Sequence, residues 1–532
     1  MLAKSDTELD AVVVGAGFAG IHMLSSLMSL GYSAIVLEAG DEVGGTWNWN
    51  RYPGARCDTE SMFYSYGFSE ALQQEWNWSE RYPKQPEILS YAKHVVERFN
   101  LSNNIKFNTR VININWNKKN RKWSLETEDG ECINANFCIM ATGCLSSPNY
   151  PNIDGLDDFE GEIYHTGRWP KSDVVFDNKN IAVIGNGSSG IQAITEIAKI
   201  APLLNIFQRT ANYVVPAHNR GLNKQEVAEI KSNYSTLREK AKETYSGNIF
   251  ESGGPSALAV SVDERIAEYE SRWNNGGLCF MAAYDDLQSN KEANKTAAEF
   301  IENKIKEIVR DKKTADKLIP KNSFGCKRLC VASGYYETFN LPNVNLVDLN
   351  ENPLTRVTSN SINAGDREYK TDLIVLATGF DAMTGALNKI NISGIDGSLK
   401  EKWENGPKSY LGLMSHNFPN LFTITGPASP SVLTNMMTSI EQHVEWISTC
   451  LEYMKNNRFT CIEPQLNAEN TWMEHSNSLA SNSLRITCNS WYLGANIPGK
   501  KRVFMPYSGG VPAYKKKCEE EVLGSYSGFN FT

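Results

Sequence analysis

The sequence predicts an α/β fold, and three observations support this prediction. An apolar, strand-like run breaks into a glycine loop and then a helix-like segment at two places, "DAVVVGAGFAG" (10–20) and "NIAVIGNGSSG" (180–190). Strand-like and helix-like segments alternate through 8–145, 180–215 and 370–382, as is typical of parallel sheets covered by helices. The 532 residues are also enough for two or three domains.

The overall composition limits the possible partners. The chain is 41% hydrophobic and 21% charged, which is ordinary for a globular protein. Its formal net charge of −8 argues against nucleic acid as the main partner. No apolar stretch reaches the roughly 18 residues of a membrane span, and the first residues lack the order of a secretory signal. We therefore expect a cytoplasmic protein that is a monomer or a weak homo-oligomer.

The cysteines predict neither a metal site nor a disulfide framework. Eleven cysteines, an odd number, are spread thinly between Cys57 and Cys518, without a C-x-x-C motif and without histidines clustered beside them. We expect reduced and mostly buried thiols, and no metal.

The first glycine loop is typical of a dinucleotide site. Gly15 permits the tight turn, Gly17 lets the backbone approach a pyrophosphate, and Gly20 lets the helix pack on the strand. The next strand, "YSAIVLE", ends at Glu38, whose carboxylate can accept hydrogen bonds from ribose hydroxyls. Strand, loop, helix, strand and acid in this order predict an adenosine with a free ribose.

The second loop predicts a different dinucleotide. It contains Gly185, Gly187, Ser188, Ser189 and Gly190. At the position that held the acid in the first unit, the strand "LNIFQRT" carries Arg209, followed by Thr210. A guanidinium there can grip a 2′-phosphate with two hydrogen bonds, whereas a carboxylate would repel it. We therefore expect NADPH in the second unit.

Two dinucleotides in one chain indicate electron transfer between a nicotinamide and a flavin. Two further apolar strands run into A-T-G turns, in "FCIMATGCLS" (137–146) and "LIVLATGFDA" (373–382). Small residues at such turns let the backbone pass close to a bound cofactor. We expect FAD in the first unit.

The middle of the chain predicts a helical insertion. In "NKTAAEFIENKIKEIVRDKKTADKLIP", one helical face would carry Phe300, Ile301, Ile305, Ile308 and Val309. The predicted division is an FAD domain from 1–145 and 380–532, an NADP domain from 146–221 and 326–379, and an insertion at 222–325.

Residues 159–170, "FEGEIYHTGRWP", resemble the fingerprint F-x-G-x-x-x-H-x-x-x-W-P of the Baeyer–Villiger monooxygenases at every fixed position. Those positions are Phe159, Gly161, His165, Trp169 and Pro170. Segments 44–61, 327–344, 426–446 and 490–507 also resemble this family, and the last two resemble its phenylacetone and steroid monooxygenase branch. The resemblance covers nearly the whole chain.

The resemblance implies a reaction and its catalytic residues. In that family, NADPH reduces FAD, the reduced flavin captures O2, and the resulting C4a-peroxyflavin attacks a ketone to give an ester or a lactone. Arg328 matches the catalytic arginine and Asp58 its acidic partner. Lys327, together with Arg209 and Thr210, matches the grip on the 2′-phosphate of NADP. Arg328 is also an implied contact of NADP, and Trp491 matches the tryptophan that covers it.

Other matches are implied contacts of the cofactor and substrate. The implied FAD contacts are Thr46, Trp47, Trp49, Asp58, Tyr64, Val111 and Met436, and the implied pocket loop is Ser431, Val432 and Leu433. We expect His165 to organise the linker rather than to donate a proton to the substrate. Asn48 and Asn186 depart from the family pattern, and Cys144 could oxidise if it were exposed near the flavin.

Three alternatives remain open at this point. A flavin-containing monooxygenase that oxygenates nitrogen or sulfur would share both loops but not the Trp169-Pro170 pair, and sulfoxidation could accompany ketone oxidation. An NADPH-dependent disulfide reductase would need a redox cysteine pair beside the flavin, and Cys57 has no partner close in sequence. A non-catalytic dinucleotide sensor would not consume NADPH.

Overall fold

The computed structural model describes residues 7–532, in which strands and helices alternate along much of the chain. The strands are β1 (Thr7–Val14), β2 (Ala34–Leu37), β3 (Ile105–Lys106), β4 (Val111–Asn117), β5 (Lys122–Thr127), β6 (Cys132–Met140), β7 (Glu162–His165), β8 (Asn180–Ile184), β9 (Leu203–Gln208), β10 (Val214–Pro216), β11 (Cys330–Ala332), β12 (Val344–Asp348), β13 (Leu354–Val357), β14 (Ser361–Ala364), β15 (Arg367–Lys370), β16 (Leu373–Leu376), β17 (Asn391–Ser393), β18 (Leu421–Thr423), β19 (Ile462–Pro464) and β20 (Phe529–Phe531).

The α-helices follow the same chain order. They are α1 (Phe18–Ser29), α2 (Thr46–Trp49), α3 (Glu70–Glu75), α4 (Gln85–Arg98), α5 (Ser188–Ile197), α6 (Lys224–Ser232), α7 (Tyr234–Lys242), α8 (Val262–Asn275), α9 (Lys291–Ile308), α10 (Lys312–Leu318), α11 (Tyr335–Thr338), α12 (Gly385–Asn388), α13 (Leu399–Lys402), α14 (Met436–Asn457), α15 (Leu466–Ser481) and α16 (Gly510–Leu523). Short 3₁₀ helices lie at Ser102–Asn104, Leu156–Asp158, Thr166–Arg168, Gly277–Ala282, Asp285–Gln288, Ser431–Leu433, Leu484–Ile486 and Trp491–Leu493.

The larger sheet combines the two ends of the chain. Its order is β17-β4-β5-β6-β1-β2-β3, and β18 also pairs with β6. β1 runs parallel to β2 and β6, with Val13 opposite Val36 and Ile139. These residues are apolar and fully buried, because helices cover the sheet as expected for parallel strands. Residues that are distant in sequence therefore build one sheet at the end of which the first glycine loop lies.

A second sheet is parallel throughout, in the order β12-β9-β8-β16-β7. Val183 pairs with Ile206 and Val375, and all three side chains are fully buried. The second glycine loop follows β8 at one end of this sheet. Together the two sheets confirm the predicted α/β fold with two nucleotide-binding units.

Helices α6 to α10 lie between residues 222 and 325. In α9, Phe300, Ile301 and Ile305 are buried, Ile308 is half-buried, and Val309 is buried directly after the helix. The predicted apolar face of this helix is confirmed. Asn290 caps the start of this helix, because its side chain accepts hydrogen bonds from two backbone N–H groups of the first turn. No helix in residues 7–532 is long and apolar enough to span a membrane.

Candidate active site

The first glycine loop forms a cradle that side chains would obstruct. Gly15 has a φ of +107°, and a Cβ there would lie 2.6 Å from the carbonyl oxygen of Ala141, in the first A-T-G turn. A Cβ at Gly20 would collide with the carbonyl oxygen of Gly15. Helix α1 begins after Gly17 and has no side-chain cap, so its first N–H groups remain available to an anion. This arrangement fits the pyrophosphate of a dinucleotide.

Glu38 is fixed at the end of β2 by the loop itself. Its carboxylate accepts hydrogen bonds from the backbone N–H of Ala16 and of Gly40, both at 2.6 Å. The residue is only 6% exposed. Because each carboxylate oxygen has two acceptor sites, Glu38 can still accept hydrogen bonds from ribose hydroxyls.

The second loop repeats the geometry of the first. Gly185 has a φ of +100°, and a Cβ there would lie 2.5 Å from the carbonyl oxygen of Ala377, in the second A-T-G turn. Gly187 has no atom near its open face, Gly190 packs against Gly185, and α5 also begins without a side-chain cap. The Ser188 hydroxyl lies 3.4 Å from the Cys330 sulfur. Ser189 interacts with the hydroxyl of Tyr52.

Two cations meet beside the second loop without an acidic partner. Arg209 is exposed directly after β9, with Thr210 next to it, and Lys327 is half-buried. Burial lowers the pKa of Lys327, and the nearby charge of Arg209 lowers it further. Neither cation forms an ion pair with any residue of 7–532. Two converging, unneutralised cations fit a phosphate group.

Arg328 and Asp58 form a two-pronged ion pair across 270 residues of sequence. The Nε and Nη2 groups of Arg328 each donate a hydrogen bond of 2.8 Å to one carboxylate oxygen of Asp58. Nη1 donates to the backbone carbonyl of Val432 at 2.8 Å. The Arg328 side chain stays 26% exposed and that of Asp58 17% exposed, so a substrate or cofactor can reach them.

The charge of Arg328 is secured by its partner. Burial alone would lower the pKa of Arg328, but the charge of the Asp58 carboxylate and its hydrogen bonds raise that pKa above the usual value for arginine. The guanidinium therefore remains a cation. Pairing offsets the cost of partial burial, and the fork geometry fixes the direction of the remaining N–H groups.

The 44–61 segment contacts the fingerprint segment at 159–170. Thr46 begins α2, and within this helix the Nε1 group of Trp47 donates to the Tyr64 hydroxyl at 3.1 Å. The guanidinium of Arg168 lies 4.3 Å from the ring centroid of Trp49. The N–H of Trp169 donates to the carbonyl of Trp49 at 3.2 Å. Arg168 and Trp169 of the fingerprint segment therefore contact the last residue of α2 directly.

The fingerprint residues themselves serve packing. Phe159 and Trp169 are buried, Trp169 stacks on Phe176, and a Cβ at Gly161 would meet the Phe159 ring; half-buried Pro170 follows directly. His165 is 2% exposed, and its Nδ1 accepts the N–H of Gly167 at 2.9 Å. Burial lowers the pKa of His165 to about 4, so the ring is neutral near pH 7. A neutral, buried ring of this kind positions the linker.

The pocket-loop residues lie in an apolar cluster with parts of the chain far away in sequence. Ser431, Val432 and Leu433 form a 3₁₀ helix, and Ser431 has a φ of +35°. Val432 packs in a cluster whose members are Cys144, Leu145, Ala382, Met383, Leu433, Met436, Ala480, Trp491, Tyr492, Leu493, Phe504 and Met505. The structure thus brings Met436 and Trp491 together with the loop. Val111 lies apart, buried at the start of β4 in the core of the larger sheet.

The two departures from the family pattern, Asn48 and Asn186, and the thiol of Cys144 all lie in buried surroundings. Asn48 is buried, and its amide donates to the Glu42 carbonyl and accepts a hydrogen bond from Arg51. Asn186 donates to Gln208 at 2.6 Å beside the second loop. Cys144 is buried, and burial raises the pKa of its thiol to about 11. A thiol held protonated in this way reacts slowly with oxidants.

The expectation that all cysteines are free thiols is wrong for one pair. Cys326 and Cys488 form a disulfide with a Cα–Cα distance of 6.2 Å, across 162 residues of sequence. The other cysteines are free, and most are buried. Sequence spacing gave no signal for the pair, because only the fold brings these two segments together.

Two further contacts of the site were missed from the sequence. The carbonyl of Val432 accepts a hydrogen bond from Arg328, and the guanidinium of Arg168 stacks on the ring of Trp49. A backbone carbonyl carries no signal in the sequence. The position of Arg168 directly before Trp169-Pro170 could have suggested a role, but not its partner. No group of three or more His, Cys, Asp or Glu side chains within 7–532 could hold a metal ion.

Known proteins are similar to this chain over nearly its whole length. Residues 12–250 match the family described as pyridine nucleotide-disulphide oxidoreductase. The chain is 39% identical to a Baeyer–Villiger monooxygenase of Pseudooceanicola batsensis, over 96% of this chain and 93% of the relative. It is also 39% identical to the phenazine N-monooxygenase PhzNO1 of Lysobacter antibioticus, over 99% of this chain and 98% of the relative.

Solved structures give the same result. An oxidised steroid monooxygenase bound to NADP is 46% identical, with a TM-score of 0.95 and 99% of both chains covered. A structure of OTEMO in complex with FAD and NADP is 37% identical, with a TM-score of 0.96, 99% of this chain and 100% of the other covered.

Proposed function

This chain belongs to the Baeyer–Villiger monooxygenases, FAD-dependent oxidoreductases that use NADPH, and we propose that Arg328, held by Asp58, is the catalytic group with which it converts ketones into esters or lactones. The observation that carries the assignment of the catalytic group is the two-pronged pair at 2.8 Å, together with the third hydrogen bond to Val432. This geometry holds a permanent cation in a largely enclosed place.

The residues present fit both cofactors. FAD fits the loop of Gly15, Gly17 and Gly20 with Glu38, because the glycines keep the cradle open and α1 offers uncapped N–H groups. NADPH fits the second loop with Arg209 and Lys327. When bound, the two groups supply the hydride and the activation of O2. The protein supplies binding, orientation and electrostatics.

Arg328 stabilises negative charge at the reacting oxygen atoms. Oxygen insertion beside a carbonyl passes through a tetrahedral arrangement in which the former carbonyl oxygen carries negative charge. A guanidinium that Asp58 and Val432 fix in advance does not need to reorganise as this charge forms. Losing one such donor typically costs about 3–4 kcal/mol of transition-state stabilisation.

Lys327 and Arg209 bind the 2′-phosphate of NADPH, and Trp491 closes the site. Lys327 directly precedes Arg328, so the nicotinamide dinucleotide and the catalytic guanidinium are positioned by one short segment. Trp491 packs on Tyr492 with ring centroids 4.2 Å apart, inside the apolar cluster of the pocket loop. An aromatic cover excludes water, which would otherwise divert activated oxygen to hydrogen peroxide.

The apolar cluster around Ser431–Leu433 supports a ketone substrate that is mainly hydrocarbon.

We propose that the FAD domain consists of residues 1–145 and 380–532. The NADP domain consists of 146–221 and 326–379, and the helical insertion of 222–325. The larger sheet supports the first assignment, since β17 and β18 join strands from the start of the chain.

The test uses the purified FAD enzyme, NADPH and ¹⁸O₂ with aromatic, cyclic and steroidal ketones. We expect at least one product that carries a single ¹⁸O atom, identified by mass spectrometry as an ester or lactone. Hydrogen peroxide as the only oxygen product with every ketone would contradict the proposed substrate class.

A second candidate function is oxygenation of nitrogen or sulfur. The observation that favours it is the relative named as a phenazine N-monooxygenase, at 39% identity. A thioether and a phenazine are therefore added to the same panel, each in competition with the best ketone. Turnover of the phenazine alone would favour the second function, and preference for the ketone would favour the first.

We also propose that the enzyme is cytoplasmic and a monomer or weak homo-oligomer. The many free cysteines support a reducing compartment. Light scattering over a range of protein concentrations tests the oligomeric state, and fractionation of the source cells tests the location.

A further inference from the structure

The disulfide between Cys326 and Cys488 links two functional segments. Cys326 directly precedes Lys327 and Arg328, and Cys488 lies three residues before Trp491. The bond therefore joins the segment of the catalytic guanidinium to the segment of the aromatic cover. The Cα–Cα distance of 6.2 Å is usual for a natural disulfide.

The two segments have few other strong polar links. Among the described residues, the Thr487 hydroxyl lies 3.4 Å from the Ser323 hydroxyl and 3.9 Å from the Cys326 sulfur. Both are long contacts. Arg485 is 8% exposed, its carbonyl lies 3.9 Å from the Cys326 sulfur, and among residues 7–532 its guanidinium donates to the Tyr245 hydroxyl, outside both segments. The covalent bond is thus the strongest direct link between these segments, beside the packing of Trp491 and Tyr492 in the apolar cluster that contains Val432.

The two sulfur atoms differ in access. Cys326 is fully buried, whereas Cys488 is half-buried between the exposed residues Thr487 and Asn489. A thiol reagent can therefore approach the pair from the Cys488 side. The remaining cysteines have no such arrangement, since each is free.

We propose that Cys326–Cys488 is a reversible redox site that sets the affinity of the enzyme for NADP. This rests on the proposed contacts of NADP with Lys327 and Trp491. In the disulfide form the two segments are held together before the dinucleotide binds. In the dithiol form, binding must also order the 484–495 segment, and that cost lowers the affinity.

The chemistry balances with a peroxide and a dithiol. In oxidation, the two thiols lose two electrons and two protons to hydrogen peroxide, which becomes two water molecules, and the sulfur–sulfur bond forms. In reduction, a thiolate of the reagent attacks the Cys488 sulfur and displaces the Cys326 thiolate, which takes up a proton. The second thiol of the reagent then releases Cys488 as a thiol and leaves the reagent as its own disulfide.

The first measurement is the state of the bond in the full-length FAD enzyme. After treatment with dithiothreitol or with hydrogen peroxide, peptides are mapped by mass spectrometry without further reduction. We expect the Cys326–Cys488 peptide to be lost in dithiothreitol and restored by peroxide. A bond that never forms, or one that dithiothreitol cannot open in the folded protein, overturns the proposal.

The second measurement is the dissociation constant of NADP⁺ for the two forms, by titration calorimetry. We expect it to rise about tenfold on reduction, as typical for a site that must be ordered on binding. Cys488→Ser should bind NADP⁺ with the dissociation constant of the reduced enzyme, and dithiothreitol should not change that constant. Cys132→Ser, which removes an exposed free thiol, is the matched control and should respond like the wild type.

Equal NADP⁺ affinity in the oxidised and reduced wild type overturns the proposal. This failure can be told apart from failure of the proposed function, because the disulfide map and the affinity do not depend on the oxidation of any ketone. If the enzyme oxidises ketones but its affinity for NADP⁺ does not depend on the redox state of the two cysteines, the proposed function stands and the proposed redox site is wrong.

Discussion

Replacing Arg209 with alanine tests the assignment of the second loop to NADPH. The charge of Arg209 lowers the pKa of Lys327, and neither cation has an acidic partner within residues 7–532, so an anion bound between them would be attracted by both. A hydrogen bond to a charged group contributes about 1.5–3 kcal/mol. Arg209 is exposed and screened by solvent, so the lower end of that range applies. We expect the KM for NADPH to rise about tenfold, because each 1.4 kcal/mol changes a binding constant by that factor.

The same reasoning predicts a different outcome for other variants and for NADH. Lys327 is half-buried, so Lys327→Ala should raise the KM for NADPH by about 30-fold or more, corresponding to about 2 kcal/mol. NADH lacks the 2′-phosphate, and its KM should not change in Arg209→Ala. Arg356→Ala removes another exposed arginine and serves as the matched control.

The assay is the initial rate of NADPH and NADH oxidation at several salt concentrations. The difference between wild type and Arg209→Ala should shrink as ionic strength rises, because screening weakens an exposed contact. Equal increases of KM for NADPH and NADH in Arg209→Ala would refute the phosphate assignment.

Three further predictions concern the loop, a thiol and a histidine. Gly15→Ala should purify with little FAD, as measured by flavin absorbance, because its Cβ would lie 2.6 Å from the Ala141 carbonyl oxygen at a φ of +107°. Gly31→Ala is the control, because Gly31 also has a positive φ but has open surroundings. Full FAD content in Gly15→Ala would contradict the proposed FAD cradle. Cys144 is buried and has a thiol pKa of about 11, so it should resist iodoacetamide in the folded enzyme while the exposed Cys132 reacts. Peptide mass spectrometry measures the labelling of both thiols. Equal labelling would show that the reagent reaches Cys144. His165 has its pKa lowered to about 4 from 6.5, so the unfolded chain binds the proton first, and the free energy of unfolding should fall as the pH drops from 6.5 towards 4. His165→Gln should reduce that slope by up to about 1.4 kcal/mol per pH unit, measured by urea unfolding at several pH values in this window; an unchanged slope would mean that His165 is not held neutral.

The fold was accessible from the sequence where its signals are local. Each glycine loop, its preceding strand and its following helix lie within about twenty residues, and the apolar spacing of Phe300, Ile301 and Ile305 lies within one helix. Local patterns of this kind do not depend on long-range pairing. The joining of β17 and β18 to the first sheet, in contrast, follows from packing over hundreds of residues.

The site was accessible only in part. Asp58 and Arg328 are 270 residues apart, and only the resemblance to a family suggested that they pair. The carbonyl of Val432 and the stacking of Arg168 on Trp49 leave no trace in residue type or spacing. The Cys326–Cys488 bond contradicted the expected free thiols, because a count of cysteines says nothing about which two the fold brings together.

The most direct test of the central claim is the amount of ester or lactone formed per NADPH oxidised by Arg328→Ala. The account predicts that NADPH oxidation continues, that hydrogen peroxide becomes the main oxygen product, and that the rate of ester formation falls about 100-fold or more, as expected when a positioned charged donor is lost. The rate of sulfoxide formation from a thioether should fall much less in Arg328→Ala, because that reaction forms no oxyanion that needs stabilisation. Ester formation at the wild-type yield in Arg328→Ala would contradict the account.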